Sequence, residues 1–229
     1  MTTVLLVRHG RSTANTAGVL AGRTPGVNLD ERGETQAVEL AARLMPVHLD
    51  AVVSSPLERT RQTAERLIAG REGTLFEVDE RFTECDYGTW SGRPLKSLAE
   101  EPLWRTVQAH PAAAAFPDGE SLAALSARAV AAVRAWNAKL GEQATYAVVS
   151  HGDVIKAIAA DALGMHLDLF QRIHVDPCSL TVIRYHGTRP GVLRVNDLGG
   201  DVSALIRSAE PAAASGEAGD APVGGGAGS

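Results

Sequence analysis

Two histidines in the chain directly follow short apolar runs and lie among groups that bind anions. His9 belongs to an Arg-His-Gly triplet at 8–10, after the apolar run 4–7, and His151 belongs to a Ser-His-Gly triplet after the run 146–149. Neutral imidazole can act as a nucleophile, and adjacent arginine charges disfavour its protonated form. Cations and polar donors around a histidine suit a dianionic phosphate. Each triplet on its own is equally consistent with a structural histidine at a strand end.

A third polar element spans residues 54–64 and follows the apolar run 51–53. We expect it to turn into a helix with Pro56 in the first turn, where the missing N–H of proline costs little. Arg59 and Arg61 are two residues apart and cannot face the same way on a helix. One of them is therefore expected to point toward the site and the other into solvent.

The order of strand and helix patterns predicts how these groups meet. Short β-branched runs predict strands at 4–7, 51–53, 146–149, 181–183 and 192–195, the last antiparallel to the one before it. Helical patterns alternate with them at 31–44, 56–67, 121–140 and 153–163. This alternation predicts an α/β fold, a three-layer α/β/α sandwich with a mostly parallel sheet and helices on both faces. Ligands of such sheets bind beyond the carboxyl ends of the strands, which is where the three polar elements lie.

The ends of the helices give further expectations. Asp30 is placed to cap the first long helix, which it immediately precedes. Glu120 and Ser121 stand at the start of the helix predicted at 121–140 and are expected to cap it, with lining of the ligand cleft as the alternative. These caps would fix where the helices begin relative to the sheet.

Composition limits the classes of protein and of partner. The 229 residues suit an α/β domain with a real core, and the net charge of −5 lacks the basic excess of a dedicated nucleic-acid binder. The Ala- and Gly-rich stretch 209–229 is expected to be a disordered tail, which leaves 1–208 as the folded catalytic domain. The tail holds three acidic residues and no Lys or Arg, so removing its −3 from −5 leaves the domain at −2.

Cysteine usage and hydropathy indicate the compartment. Cys85 and Cys178 are too few for a disulfide-dense scaffold and are expected to be small packing residues. The apolar runs are strand-sized rather than bilayer-sized, and the N-terminus lacks a signal-peptide pattern. We expect a cytoplasmic protein with neither a membrane nor a nucleic-acid partner.

Four motifs in fixed order resemble those of the histidine phosphatase (phosphoglycerate mutase-like) superfamily, in its phosphatase branch. The triplet at 8–10, with Ser12 and Asn15, is similar to the first motif, and Ser-Ser-Pro-Leu-x-Arg-x-x-Gln-Thr-Ala at 54–64 to the second. Glu-x-x-x-Gly-x-Trp-x-Gly at 84–92 is similar to the third, and the triplet at His151 to the fourth. The resemblance covers about residues 4–198.

The resemblance implies a mechanism. His9 would attack phosphorus and become phosphohistidine, and Glu84 would protonate the leaving oxygen and then assist water. The phosphoryl oxygens would be held by Arg8, Asn15, Arg59, His151 and the Gly152 amide. The resemblance implies no metal and no cofactor.

Two alternatives compete with a phosphomonoesterase that acts on a small phosphorylated metabolite. A cofactor-dependent phosphoglycerate mutase would carry Arg directly after the catalytic Glu, where this chain has Cys85, and an Arg-Arg pair, which the sequence lacks. A non-catalytic module that binds a phospho-ligand or a protein partner is disfavoured because the residues expected to be catalytic are all present. These are His9, Arg8, Arg59, Glu84 and His151. The absence of the mutase arginines and the presence of the catalytic residues together favour the phosphatase.

Residues outside the motifs leave the substrate open. Segment 22–29 lacks the Asp and the Pro-Leu pair usual for the family, so Arg23 becomes a candidate for reading the non-phosphate end of the substrate. Arg11 is expected either at the entrance of the phosphate site, where it could contact the substrate, or in solvent. Specificity is assigned to 93–118, and edge strands of such sheets leave a homodimer as an open alternative.

Overall fold

A mixed sheet forms the middle layer of the molecule. The computed structural model describes residues 1–186 and 189–199, and within them six strands lie in the order β3-β2-β4-β1-β5-β6. The strands are β1 Thr2–Arg8, β2 Ala51–Ser54, β3 Leu75–Val78, β4 Thr145–Ser150, β5 Leu180–His186 and β6 Arg189–Asp197. The pairs β1–β4, β2–β4 and β2–β3 are parallel, whereas β5 runs antiparallel to both β1 and β6. The mostly parallel sheet and the antiparallel last strand are confirmed.

The edge strand β3 is absent from the sequence-based prediction. Its four residues pair in parallel with β2, yet three of its side chains are exposed and one is half-buried. A strand with neither face buried shows no apolar alternation, which is the signal that predicts a half-buried strand.

Helices cover both faces of the sheet. They are α1 Thr13–Ala17, α2 Glu31–Leu44, α3 Glu58–Ile68, α4 Leu95–Leu98, α5 Pro102–Ala109, α6 Leu122–Leu140 and α7 Gly152–Ala162. Short 3₁₀ turns occupy Glu80–Phe82, Gly88–Trp90, Pro111–Ala113 and Leu167–Arg172. Successive positions of β1 bury opposite faces: Val4 and Leu6 pack in one core with residues of α6 and α7, and Leu5 and Val7 in a second core with residues of α2 and α3. The three-layer α/β/α sandwich is thus confirmed.

The predicted helix starts agree with the structure to within one residue, except at Pro56. Asp30 caps α2 by accepting from the Gly33 amide at 2.8 Å, and Ser121 caps α6 by accepting from the Ala124 amide at 3.1 Å. The expected first turn at Pro56 is wrong, because α3 begins at Glu58. The Ser55 amide still donates to the carbonyl oxygen of a β4 residue at 3.0 Å, so the chain leaves the sheet only after this position.

Segment 93–118, for which no elements were predicted, folds into α4 and α5 and a following turn. Its apolar side chains Leu98, Trp104, Val107 and Phe116 are buried in the core on the α6 and α7 side. Much of this segment therefore serves packing.

Several expectations concern burial and chain ends. Cys85 and Cys178 are both buried free thiols, which agrees with packing roles, and burial raises the pKa of the Cys178 thiol to about 12. The predicted tail at 209–229 lies outside the described residues, so the boundary at 208 stays a prediction. Among residues 1–186 and 189–199, no helix is long and apolar enough to span a bilayer.

Candidate active site

The carboxyl ends of three parallel strands meet because β4 lies between β1 and β2. The His9 amide donates to the Ser150 carbonyl at 3.0 Å, and the Ser55 amide donates to the Val149 carbonyl at 3.0 Å. The residues that follow β1, β2 and β4 are therefore held side by side by sheet-like hydrogen bonds. The fold brings the three polar elements of the sequence to one edge.

His9 is buried and held in one tautomer. Its Nδ1 lies 2.7 Å from the Gly10 carbonyl oxygen, which can only accept, so Nδ1 carries the proton and Nε2 carries the lone pair. Arg59 donates from Nε to that Nε2 at 3.2 Å. Burial, reinforced by the charges of Arg59 and Arg8, lowers the pKa of His9 well below its usual value. The result is a neutral imidazole with an unprotonated Nε2, and this atom can act as a nucleophile once the Arg59 donor is transferred to a bound phosphate.

Arg59 lies in the first turn of α3 and is buried against His9. Its Nη2 donates to the Gly22 carbonyl oxygen at 2.8 Å, which orients the guanidinium. Its Nη1 is buried and, within the described part of the chain, meets no acceptor. Arg61 is exposed, so the expectation that only one of the two arginines faces inward is confirmed. A buried cationic donor without a protein partner is suited to an anionic ligand.

His151 faces His9 from the N-terminus of α7. The two ring centroids are 5.3 Å apart with an interplanar angle of 62°. Its Nε2 lies 2.7 Å from the Ser55 hydroxyl oxygen, and its buried Nδ1 meets no partner among the described residues. If the Ser55 hydroxyl donates to Nε2, the proton resides on Nδ1 and can be donated to a ligand. Burial lowers the pKa of His151 well below its usual value, so the ring is neutral.

Ser55 did not figure among the sequence-based site residues. It belongs to the Ser-Ser-Pro motif that follows β2, and its hydroxyl is the group that orients His151. The sequence signal for a role of Ser55 is a hydroxyl directly after one strand, at the same level of the sheet as the end of another. It could not be used without knowing that β2 pairs with β4.

Arg8 and Asn15 are fixed by the surrounding backbone. Arg8 is fully buried and donates from Nη1 to the Val175 carbonyl at 2.8 Å. Burial lowers its pKa to about 10, which keeps the side chain charged at neutral pH. The Asn15 Oδ1 accepts from the Ser12 amide at 3.0 Å and from its hydroxyl at 2.9 Å, closing a capping box on α1. The side-chain oxygen of Asn15 is thus used in capping α1. We expect the side-chain Nδ2 of Asn15 to donate to a phosphate.

Glu84 follows the 3₁₀ turn Glu80–Phe82 and is almost fully buried. Its Oε1 accepts from the Cys85 amide at 2.9 Å. Burial, strengthened by repulsion from Asp153, raises the pKa of Glu84 to about 7. Such a carboxyl can hold a proton to give away near neutral pH. Cys85 itself is no nucleophile, because burial raises the pKa of its thiol far above the usual value.

A buried polar group next to Glu84 escaped the sequence analysis. Tyr87 donates its hydroxyl to Asp153 Oδ2 at 2.8 Å, and Lys156 Nζ lies 3.4 Å from Asp153 Oδ1. Lys156 also donates to Gln171 at 2.9 Å. The spacing of Asp and Lys by three residues in a mostly apolar helix is the sequence signal for this pair.

Arg11 and Arg23, the two candidates for contacting the substrate, both form ion pairs with carboxylates of the protein. Arg11 forms an ion pair through Nε with Asp30 at 2.7 Å and is about a quarter exposed. Arg23 donates through Nε to the Glu84 carbonyl oxygen at 2.9 Å and through Nη2 to Glu120 at 3.1 Å. Glu120 caps no helix, which corrects its expected role, because its carboxylate is taken up by arginines and by a loop amide.

The site therefore combines a neutral nucleophile, buried donors for an anion, and a carboxyl that can be protonated near neutral pH. Within residues 1–186 and 189–199, no group of three or more His, Cys, Asp or Glu side chains is arranged to hold a metal ion. That no metal or cofactor takes part stays a prediction.

Comparison with known proteins gives a consistent picture. The model of the histidine phosphatase superfamily (branch 1) matches residues 4–198. The chain is 34% identical over 204 residues to phosphoserine phosphatase 1 of Hydrogenobacter thermophilus, covering 86% of this chain and 92% of that one. It is 32% identical over 209 residues to a probable phosphoglycerate mutase GpmB of Erwinia tasmaniensis, covering 90% and 95%. The solved structure of YhfR from Bacillus stearothermophilus superposes with a TM-score of 0.81 at 28% identity, covering 86% and 98%.

Proposed function

The chain belongs to branch 1 of the histidine phosphatase superfamily, and we propose that it is a phosphomonoester hydrolase that forms a phosphohistidine on His9. The observation that carries this proposal is the His9 Nε2 atom: it is unprotonated, buried, and 3.2 Å from the Arg59 guanidinium. A nucleophile beside a cationic donor is what the in-line displacement of a phosphate ester needs. The substrate class is a small phosphorylated metabolite.

In the first step, the Nε2 lone pair of His9 attacks phosphorus and a new N–P bond forms. The bond from phosphorus to the ester oxygen breaks, and Glu84 transfers its proton to that oxygen, so an alcohol leaves. The Arg59 Nη1 and His151 Nδ1 groups, which meet no described acceptor, donate to the phosphoryl oxygens and stabilise their growing charge. Arg8, the Asn15 amide and the Gly152 N–H complete the set of donors.

In the second step, Glu84 is ionised and acts as a base. It takes a proton from a water molecule, whose oxygen attacks phosphorus while the N–P bond breaks. The electron pair of that bond returns to Nε2 of His9, and inorganic phosphate leaves. A pKa of about 7 suits both roles of Glu84, since neither protonation state is rare at neutral pH.

Hydrolysis is favoured over a mutase reaction by the state of the cations near Glu84. Arg23 and Arg128 both contact Glu120, at 3.1 and 2.6 Å, so each of these cations already has a carboxylate partner. A mutase needs free cations there for the second phosphate of a bisphosphorylated intermediate, and the residue after Glu84 is an uncharged, buried Cys85. The mutase hypothesis is kept as a second candidate because several relatives, the one from Erwinia tasmaniensis among them, bear the name of a probable phosphoglycerate mutase.

The experiment that separates the two compares steady-state rates. Hydrolysis of p-nitrophenyl phosphate is measured beside isomerisation of phosphoglycerate in the presence of its bisphosphate cofactor. We expect hydrolysis without any cofactor and no efficient isomerisation. Efficient cofactor-dependent isomerisation would overturn the assignment, and binding of phosphate esters without turnover of any would favour the non-catalytic module.

The natural substrate is to be found with a panel of phosphorylated metabolites. One relative is named a phosphoserine phosphatase, so phosphoserine is included with sugar phosphates and phosphoglycerates. A cytoplasmic location and the absence of a nucleic-acid partner stay predictions, as does the homodimer, which light scattering can check.

A further inference from the structure

Two arginines and a glutamate hold the loop that carries Glu84 through hydrogen bonds to its backbone. Arg23 donates from Nε to the Glu84 carbonyl oxygen at 2.9 Å, and Arg128 donates from Nη2 to the same oxygen at 3.2 Å. Glu120 binds both arginines: its Oε1 accepts from Arg23 Nη2 at 3.1 Å and from Arg128 Nη2 at 2.6 Å, and its Oε2 accepts from Arg128 Nε at 3.0 Å. We call Arg23, Glu120 and Arg128 the clamp.

Glu120 also holds the loop directly. Its Oε1 accepts from the Asp86 amide at 3.0 Å, and its own amide donates to the Asp86 carbonyl at 2.8 Å. The Thr89 amide donates to the Pro117 carbonyl at 3.0 Å. Gly88 lies so close to this segment that a Cβ there would overlap the Pro117 carbonyl oxygen. The loop is therefore held against segment 117–120, and Glu120 holds it with both its backbone and its carboxylate.

The clamp links the acid to the phosphate-binding part of the site. The Gly22 carbonyl accepts from Arg59 Nη2 at 2.8 Å, and the next residue along the chain is Arg23. One dipeptide thus contacts both the arginine beside His9 and the backbone of Glu84. A displacement of the clamp would change the distance between the proton donor and the ester oxygen.

These contacts give Arg23 a role other than reading the substrate. Its Nε and Nη2 are engaged as above, and its Nη1 lies 3.8 Å from an Asp86 carboxylate oxygen. Its charge is therefore shared between two carboxylates of the protein. A side chain so engaged is better suited to fixing a loop than to binding a variable ligand.

We propose that Glu120, acting through Arg23 and Arg128, is the positioning residue of the general acid Glu84. This inference rests on the proposed function, because it assigns a partner to the acid of that reaction. The Glu120 carboxylate is engaged by the two arginines and the Asp86 amide. It acts by fixing the Glu84 carbonyl and the Asp86 backbone that follows it, so that the carboxyl reaches the oxygen that leaves.

Loss of positioning has a signature that loss of stability lacks. Proton transfer needs the acid within hydrogen-bond reach, and a misplacement of about 1 Å can cost about a hundredfold in rate. An acidic leaving group departs without help, whereas a basic one needs the proton. Damage to the clamp should therefore slow esters of basic alcohols and spare esters of acidic ones.

The experiment compares phenyl phosphate with p-nitrophenyl phosphate in the full-length protein, using kcat/KM, which ends at formation of the phosphohistidine. Glu120→Gln keeps an oxygen for the Asp86 amide but removes the charge that holds both arginines. We expect kcat/KM to fall about tenfold with phenyl phosphate and less than about twofold with p-nitrophenyl phosphate. Arg134→Ala is the matched control, because it breaks an α6 ion pair to Asp161 at 3.5 Å that does not touch the loop.

A double variant shows whether Glu120 works through Glu84. In the Glu84→Gln background, Glu120→Gln should cause no further loss with phenyl phosphate, because the acid is already absent. Equal loss with both esters, or full further loss in that background, would overturn the proposal. If Glu120→Gln does not fold, Arg23→Met removes one donor to the Glu84 carbonyl and is expected to give the same split, smaller in size. Failure of the proposed function would instead appear in the unmutated protein, as no turnover of either ester.

Discussion

The protonation state of Glu84 predicts a pH profile that differs between two substrates. Burial and the Asp153 carboxylate raise the pKa of Glu84 to about 7. The acid is active only while protonated, so its contribution is present below that pKa and is lost as pH rises through it. Between about pH 6 and about pH 8 the protonated fraction falls about tenfold, from roughly nine-tenths to roughly one-tenth.

The assay is the ratio of kcat/KM for phenyl phosphate to kcat/KM for p-nitrophenyl phosphate. Both esters carry the same phosphate group, so ionisation of the substrate phosphate largely cancels in the ratio. We expect the ratio to fall about tenfold across that pH range, because only the basic phenolate leaving group needs the proton. Neutral His9 contributes no step in this range, since its pKa lies well below its usual value.

Glu84→Gln supplies the control. The variant should lose about a hundredfold or more with phenyl phosphate and less than about tenfold with p-nitrophenyl phosphate, and its ratio should no longer depend on pH. A flat ratio in the unmutated protein would mean that Glu84 is not the proton donor. So would equal losses with the two esters in the variant.

Three further predictions follow from neighbouring contacts. Asp153→Asn removes the charge that repels the ionised Glu84, so the midpoint of the ratio should move to lower pH. Ser55→Ala removes the hydroxyl 2.7 Å from His151 Nε2, and kcat/KM should fall about tenfold equally with both esters, because that ring serves the phosphate. Gly88→Ala places a methyl group against a backbone carbonyl oxygen at a φ of 51°, and should lower the free energy of unfolding by about 2 kcal/mol or more.

Each of these has a contrary outcome. An unchanged or higher midpoint in Asp153→Asn would show that the Asp153 carboxylate does not raise the pKa of Glu84. A leaving-group dependence in Ser55→Ala would assign Ser55 to the acid rather than to the phosphate. Gly70→Ala is the control for Gly88→Ala: its φ of 73° is similar but its surroundings are open, so it should cost less in urea unfolding. Equal costs would mean that the contact with the neighbouring loop is unimportant.

The strand-end residues could be predicted from the sequence because local signals and topology agree there. His9 and His151 each follow an apolar β-branched run, and parallel strands carry their ends to one edge. Glu84 was identified only through the resemblance to a family. It follows a 3₁₀ turn in an irregular loop, where no periodicity marks a residue as buried or as close to the site.

The remaining contacts depend on packing that a sequence does not state. Glu120 meets the Asp86 amide 34 positions away, and Arg23 meets the Glu84 carbonyl 61 positions away. Glu120 was expected to cap α6 because it stands beside a capping serine, and local capping rules carry no information about an arginine arriving from another loop. Lys156 and Asp153 are spaced to pair on a helix, but no local pattern shows that this part of the helix is buried on all sides and that the pair lies inside the protein.

The phosphohistidine is the central claim, and rapid quenching tests it most directly. The protein is mixed with a radiolabelled phosphate ester, quenched in denaturant within the first turnover, and separated from free label. We expect label on the protein that is stable in base and lost in acid, and no label in His9→Ala. Label that persists in His9→Ala, or label that is stable in acid, would contradict the claim.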